Sequence, residues 1–116
     1  MDKILAIDFD GVIHGYQSGW QGPLLTLDPP VPGVREFIED IRTDYKIYVH
    51  STRAETEEGY TAIVDYMKQH NIYYDVITNT KPPARVYLDD RGMLFYGTFE
   101  GLSDKIRSFR TWNDQR

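Results

Sequence analysis

The stretch "ILAIDFDGVIHG", residues 4–15, joins a short apolar run to two aspartates and a glycine. The run "KILAI", residues 3–7, is nearly unbroken and has no helical spacing, which predicts a strand covered on both faces. Asp8 and Asp10 follow at the end of this strand. The buried strand indicates the class of fold, and the paired acids at its end indicate where to look for a functional site.

Amphipathic helices alternate with further apolar runs along the rest of the chain. In "VREFIEDIRTDY", residues 34–45, apolar side chains recur with helical spacing, which predicts a helix. The same pattern in "TEEGYTAIVDYMKQHN", residues 56–71, predicts a second helix. Further strands are predicted at 46–50, 74–78 and 84–88, a fifth strand at 93–97, and a last helix through Leu102, Ile106 and Phe109.

This alternation predicts an α/β fold built as three layers. A Rossmann-like parallel sheet of about five strands would carry helices on both faces, since right-handed crossovers join its strands. We expect one domain over residues 1–116, with a tail at 110–116 that frays. In such open sheets the ligand site lies beyond the carboxyl ends of the strands.

The composition narrows the possible partners. A net charge of −5 with an isoelectric point near 5.0 disfavours non-specific binding to nucleic acid or to an anionic membrane. The chain has no cysteine, which excludes disulfides and thiolate sites. The N-terminal apolar run is too short and too acidic for a signal peptide or a membrane span, so we expect a cytoplasmic protein.

Polar side chains follow four of the predicted strands, at the edge where a site is expected. Asp8 and Asp10 follow the first of these strands. The groups after the other three are Ser51, Thr52 and Arg53, then Lys81, and then Asp89, Asp90 and Arg91. Four carboxylates at one edge repel each other unless a cation lies among them, and hard oxygen ligands favour Mg²⁺. Hydroxyl groups and a lysine beside that cation can hold a phosphate.

Two aspartates at this spacing can divide the work of phosphoryl transfer. Side chains two residues apart on an extended segment lie roughly 6–7 Å from each other, which suits the two sides of one phosphoryl group. One carboxylate can attack phosphorus, and the other can move a proton. Gly11 allows a sharp turn and a close approach to the ligand.

The four motifs resemble those of the haloacid dehalogenase (HAD) superfamily, in that family's order. These motifs are "DFDGV" (8–12), "VHST" (49–52), "KPP" (81–83) and "YLDD" (87–90). The resemblance implies Asp8 as nucleophile and metal ligand, with Asp10 as general acid and base that also binds the metal through its carbonyl. It further implies that Ser51 bonds the phosphoryl group and that Lys81 balances its charge. Asp89 would be a metal ligand, with Asp90 as a ligand or a supporting acid.

The chain departs from that family in two places. Only seven residues separate Lys81 from Asp89, so no helix is expected between the third and fourth strands. The insertion at 12–30 is long enough for a β-hairpin flap but too short for a cap domain. The resemblance therefore implies a small capless phosphatase with an open site. Sugar phosphates, nucleotides, polynucleotide ends and phosphoproteins remain open as substrates.

Several of these residues also have a purely structural interpretation. Asp8 and Asp10 could end a strand in solvent, and Ser51, Thr52 or Thr56 could cap the next helix. Arg53 and Arg91 could contact substrate or pair with nearby acids. The aromatic and histidine side chains of the insertion could stack on a leaving group or pack the insertion down; these are His14, Tyr16 and Trp20.

Two other function classes compete with a phosphohydrolase. A phosphoacceptor receiver module also combines an acidic pair, a hydroxyl, a lysine and Mg²⁺, but it needs its acceptor aspartate at the end of a central strand. In this chain the strands in the middle end at His50 and Thr78. A catalytically inactive metal- or phosphate-binding protein is the other alternative. A calcium EF-hand loop is excluded, because position 12 counted from Asp8 is Gly19 instead of glutamate.

Overall fold

A computed structural model describes residues 3–26 and 28–112 as a mixed α/β fold. Its four strands are β1 (Ile4–Asp8), β2 (Lys46–His50), β3 (Val76–Thr78) and β4 (Val86–Leu88). Its three α-helices are α1 (Val34–Ile41), α2 (Glu57–Gln69) and α3 (Leu102–Ser108). A short 3-10 helix, Thr52–Glu55, lies between β2 and α2. No helix in the described part of the chain is long and apolar enough to cross a membrane.

All four strands are parallel, in the order β3-β2-β1-β4. The register sets Asp8 opposite His50, and His50 opposite Thr78. On the other side of β1, Ile7 is opposite Leu88. The residues that follow β1, β2 and β4 therefore begin at one edge of the sheet, as the strand order requires.

The hydrophobic core lies on one face of this sheet. Alternate side chains of the three strands β1, β2 and β3 form it, and these are Leu5, Ile7, Ile47, Val49 and Ile77. Helix α1 adds Val34 and Ile38, and α2 adds Ile63, Tyr66 and Met67. Both helices pack on the same face because β1, β2 and β3 follow each other in one direction, and right-handed crossovers then lie on one side.

The opposite face of the sheet is much less covered. Its middle row runs through Val76, Tyr48, Ala6 and Tyr87, which are in register. Val76 and Tyr87 are exposed, and α3 buries none of its side chains. The expected second layer of helices is therefore not formed by buried contacts within the described residues.

The structure corrects three further expectations. The sheet has four strands, since residues 93–97 form no strand and their apolar side chains are exposed. The described residues of the 12–30 insertion contain isolated bridges from His14 to Asp10 and to Pro30, and no β-hairpin. Helix α1 ends at Ile41, where the Thr43 hydroxyl bonds the carbonyl of Asp40 and competes with continued helix.

Near its C-terminal end the chain contacts the motif at residues 8–12. The indole N–H of Trp112 donates to the carbonyl of Gly11, over 2.7 Å. The expected frayed tail therefore includes at least one residue that bonds to the body of the protein. Residues 113–116 lie outside the described part of the chain.

Candidate functional site

A polar cavity of about 250 Å³ opens at the carboxyl ends of β1, β2 and β4. Side chains from three strand ends and from the 12–30 insertion line it. These are Asp8, Asp10, Tyr16, Trp20, His50, Ser51, Thr52, Asp89 and Arg91. Six of the polar residues that the sequence places at this edge therefore line one cavity, although they come from three separate parts of the chain.

Three carboxylates meet beside the cavity, and two of them, Asp8 and Asp89, line it. Asp8, Asp89 and Asp90 each offer an oxygen, and these oxygens lie within 4.8 Å of one another. Burial raises the pKa of Asp8 to about 7, and repulsion from Asp89, Asp90 and Asp10 adds to the shift. Burial and then the charge of Asp89 also raise the pKa of Asp90. Without a cation, this arrangement opposes ionisation of Asp8 and Asp90.

The donor set fits a hard divalent cation. The Oδ1 atom of Asp90 is buried and has no hydrogen-bond partner among the described residues. The backbone of Gly11, with a φ of +89°, passes so close to the Asp90 carboxylate that a β-carbon at position 11 would collide with it. Three converging carboxylates, one with an unused buried oxygen, are the ligands that Mg²⁺ prefers.

Asp10 stands apart from this cluster in a buried ion-pair network. Its Oδ2 accepts from Arg53 Nε at 2.9 Å, and its Oδ1 accepts from Arg53 Nη2 at 3.0 Å. Oδ1 also accepts from His14 Nδ1 at 2.8 Å. Burial alone would raise the pKa of Asp10, but the hydrogen bonds from His14 and Arg53 outweigh it and lower that pKa. Asp10 is therefore held as a carboxylate.

The proton on His14 is assigned by its second contact. The backbone N–H of Asp28 donates to His14 Nε2 at 3.1 Å, so that nitrogen accepts. In the neutral ring, Nδ1 then carries the proton and donates it to Asp10. His14 is buried against Phe9 and Tyr66. Its place is behind Asp10, where it orients the carboxylate.

Arg53 ties Asp10 to the 12–30 insertion. Its side chain is 1% exposed, and Nη1 donates to the three loop carbonyls of Gly22, Pro23 and Leu25. One planar guanidinium thus satisfies both a carboxylate and a loop backbone, which suits its fixed set of donors. The expected pairing of Arg53 with a nearby acid is therefore confirmed. Its contact with substrate stays a prediction.

Capping explains part of the hydroxyl pattern after β2. Ser51 Oγ accepts from the N–H of Arg53 at 3.1 Å and so caps the 3-10 helix, while it also lines the cavity. Thr56 Oγ1 accepts from the N–H of Gly59 and caps α2, so capping by Thr56 is confirmed. Thr52 belongs to the 3-10 helix and lines the cavity.

Four predicted site residues do not line the cavity. Gly11, Arg53 and Asp90 are described above, and the fourth is Lys81. Its ammonium nitrogen lies 4.4 Å from the ring centre of Tyr87, on the poorly covered face of the sheet. The cation that lines the cavity is Arg91, two residues after Asp89. Because β4 follows β3 after a short connection without a helix, the segment at Lys81 has little length with which to reach across the strand ends.

The contacts that His14 and Asp28 make behind Asp10 were not predicted from the sequence. His14 lies four residues after Asp10, and this spacing is the one signal that could have linked them. The contacts of Asp28 with His14 and Ser18 depend on the path of the insertion. No periodic pattern encodes that path, so these contacts could not be found from sequence.

Comparison of the chain with protein-family models, curated proteins and solved structures found no match. The function is therefore inferred from the cavity and its side chains.

Proposed function

We propose that this protein is a Mg²⁺-dependent phosphomonoesterase of the HAD type, which acts through an aspartyl-phosphate on Asp8. The observation that supports this most directly is the meeting of Asp8, Asp89 and Asp90 within 4.8 Å at the carboxyl edge of a parallel sheet. Hydroxyl groups and an arginine line the same cavity. A metal-binding carboxylate beside anion-binding groups is the arrangement that phosphoryl transfer needs.

Asp8, Asp89 and Asp90 would hold the ion, together with the backbone carbonyl of Asp10 that the resemblance implies. When bound, Mg²⁺ would neutralise the carboxylates and polarise a phosphoryl oxygen. The raised pKa of Asp8 agrees with a residue that needs a nearby cation to remain ionised at neutral pH.

Asp8 is the proposed nucleophile. A carboxylate oxygen of Asp8 forms a bond to phosphorus while the ester P–O bond breaks, and the leaving oxygen departs with its electron pair. Water then attacks the phosphorus of the aspartyl-phosphate, which releases inorganic phosphate and restores the Asp8 carboxylate. Both steps need the phosphoryl charge to be balanced, and Ser51, Thr52 and Arg91 are the groups that line the cavity for this purpose.

Asp10 is suited to the second of these steps. Because Arg53 and His14 keep it ionised, it can accept a proton from the attacking water. A lowered pKa leaves Asp10 without a proton to give to the leaving group, and it makes Asp10 a weak base that must pass the proton from water on to solvent. We expect faster turnover of esters of acidic alcohols, such as aryl phosphates, than of simple alkyl phosphates.

The role of Lys81 in charge balance remains part of the proposal. Its ammonium would have to leave the ring of Tyr87 to reach a bound phosphate. Arg91 lines the cavity already, so it is the nearer cation for that role.

The test is hydrolysis of para-nitrophenyl phosphate with Mg²⁺ and after EDTA treatment. Asp8→Asn should abolish both turnover and the acid-stable phosphate adduct seen by mass spectrometry. Asp65→Asn, which changes an exposed aspartate of α2, is the matched control and should retain full activity. Activity that survives Asp8→Asn would overturn the mechanism. A long-lived adduct without turnover would instead favour a receiver-like module.

A further inference from the structure

Two aromatic side chains line the cavity, and the proposed reaction gives them no part. Tyr16 and Trp20 face the same space as Asp8, Asp10 and Arg91. Trp20 keeps 52% of its surface exposed. A tryptophan that leaves half of its surface in water at the edge of a polar cavity can offer its flat ring to a ligand.

Trp20 packs on the buried side chain of Arg53. The guanidinium carbon of Arg53 lies 4.8 Å from the centre of the Trp20 ring. That guanidinium cannot shift freely, because it donates to both oxygens of Asp10 and to three loop carbonyls. A cation packed on an aromatic ring attracts it, so Trp20 rests on a fixed support. A pre-positioned ring loses little conformational freedom when a ligand stacks on it.

Tyr16 is also fixed at the cavity. Its φ of +66° is uncommon for a bulky residue, which indicates that the surrounding structure holds it there. Its ring meets the buried ring of His14 edge-on, with 6.1 Å between their centres. His14 itself is enclosed and bonded to Asp10, so it offers no surface for stacking.

The size of the cavity places the rest of a substrate near Trp20. Its volume of about 250 Å³ is below the roughly 300–1,000 Å³ that is usual for small-molecule sites. A phosphoryl group fits among the carboxylates and hydroxyls, but the leaving group must extend to the mouth. Trp20 is the exposed aromatic residue among those that line this space.

We infer that the site takes phosphomonoesters whose leaving group carries a planar aromatic ring, with that ring stacked on Trp20. This inference rests on the proposed function, since it names the substrate class of the same site. Nucleoside 5′-monophosphates are the class that fits both the phosphate cavity and the stacking surface. Trp20 is then a specificity-determining residue, and the chemistry remains with Asp8.

The decisive comparison is between adenosine 5′-monophosphate and ribose 5-phosphate. Both release a primary alcohol, so a difference between them reports the ring and not the leaving group. We expect kcat/KM to be about tenfold higher for the nucleotide, through a lower KM. Trp20→Ala should reduce kcat/KM for the nucleotide to the value for the sugar phosphate. The same substitution should change kcat/KM for the sugar phosphate by no more than about twofold. Trp20→Phe, which keeps a ring, should retain most of the preference.

A binding measurement separates this inference from the proposed function. In Asp8→Asn protein with Mg²⁺, adenosine 5′-monophosphate should quench tryptophan fluorescence, and ribose 5-phosphate should not. Trp20→Phe in the same background should remove the quenching, although Trp112 is still present. Equal losses of kcat/KM on both substrates, or quenching that persists without Trp20, would overturn the stacking role. If no phosphate ester is hydrolysed, the enzyme proposal fails while the quenching still decides the inference.

Discussion

Residues 3–78 and residues 79–112 differ sharply in how well they are packed. Apart from Pro82, every buried aliphatic, aromatic or methionine side chain in the described residues lies between Leu5 and Ile77. After that point, apolar side chains are numerous but exposed. They include all three residues of β4, the run Met93–Tyr96, Phe99 and Ile106. The fold therefore has a packed part, residues 3–78, and an exposed part, residues 79–112.

The candidate site spans these two parts. Asp8, Asp10 and Ser51 belong to the packed part, while Asp89, Asp90 and Arg91 follow β4 in the exposed part. Strand β4 is held mainly by its ladder with β1. A cation shared by Asp8, Asp89 and Asp90 would therefore bind the exposed part to the packed part. The site and the stability of β4 should depend on each other.

The largest difference should appear when matched residues of the two parts are truncated. Ile7 and Leu88 are opposite each other in the sheet, with 0% and 38% exposure. Ile7→Ala should lower the free energy of unfolding by about 4 kcal/mol, because it leaves a cavity in the core. Leu88→Ala should lower it by less than about 1 kcal/mol. Urea titrations measure both values, and equal losses would show that the two parts are packed alike.

Removal of the buried arginine should have the next largest effect. Arg53→Met leaves Asp10 and three loop carbonyls without their donor, so the free energy of unfolding should fall by about 3 kcal/mol. Arg107→Met is the control from the exposed part. Its pair with Asp104 spans 3.7 Å at the surface, and its loss should change stability by less than about 0.5 kcal/mol. Calorimetry or urea titration distinguishes these outcomes.

The stabilisation by Mg²⁺ should depend on pH through Asp8. Its pKa rises from 3.8 to about 7 on folding, so the folded protein binds this proton more tightly than the unfolded chain does. Stability of the metal-free protein should therefore fall as pH increases from about 4 to about 7. Mg²⁺ removes this penalty, so it should raise Tm by at least about 5 °C at pH 8 and by less at pH 5. In Asp8→Asn protein, Mg²⁺ should raise Tm by a smaller amount, and this amount should not increase between pH 5 and pH 8.

Hydrogen exchange can locate where the cation acts. With saturating Mg²⁺, the amides of β4 should exchange about tenfold more slowly, because the cation links Asp89 and Asp90 to Asp8. The amides of β2, which lies between β1 and β3, should change little. Uniform slowing over both strands would show that Mg²⁺ does not act at the junction between the two parts.

The smallest expected effect concerns Arg91 and Lys81, two cations of the exposed part. Arg91→Ala should weaken competitive inhibition by inorganic phosphate by about fivefold, since Arg91 lines the cavity. Lys81→Ala should weaken it less, because its ammonium lies on Tyr87. The opposite order would mean that Lys81 turns into the cavity when phosphate binds. Steady-state inhibition constants decide between the two.

Prediction from sequence succeeded where the signal was local. The run at 3–7 and the helical spacing at 34–45 and 56–71 identified the elements, although their ends differ by a few residues. Asp8, Asp10 and the acids that follow β4 were expected to meet, because parallel strands end at one edge. Asp8, Asp89 and Asp90 do so, whereas Asp10 pairs with Arg53. Such inferences need only periodicity and topology.

Prediction failed where the outcome depends on partners distant in the chain. Met93–Tyr96 has the composition of a strand, but β4 remains an edge of the sheet and those residues are exposed. The insertion was expected to form a hairpin, yet three of its carbonyls accept from Arg53 instead of from the N–H groups of a paired strand. The place of Lys81 depends on the short connection between β3 and β4. No local sequence pattern indicates which of these long-range contacts forms.

The bond from Trp112 to Gly11 has a practical consequence for work with shortened forms of the protein. It brings Trp112 against the turn that carries Asp10. A variant that lacks Trp112 would lose the donor to the Gly11 carbonyl, in the same residue whose backbone packs on the Asp90 carboxylate. Shortened forms made to study the cavity should therefore keep Trp112.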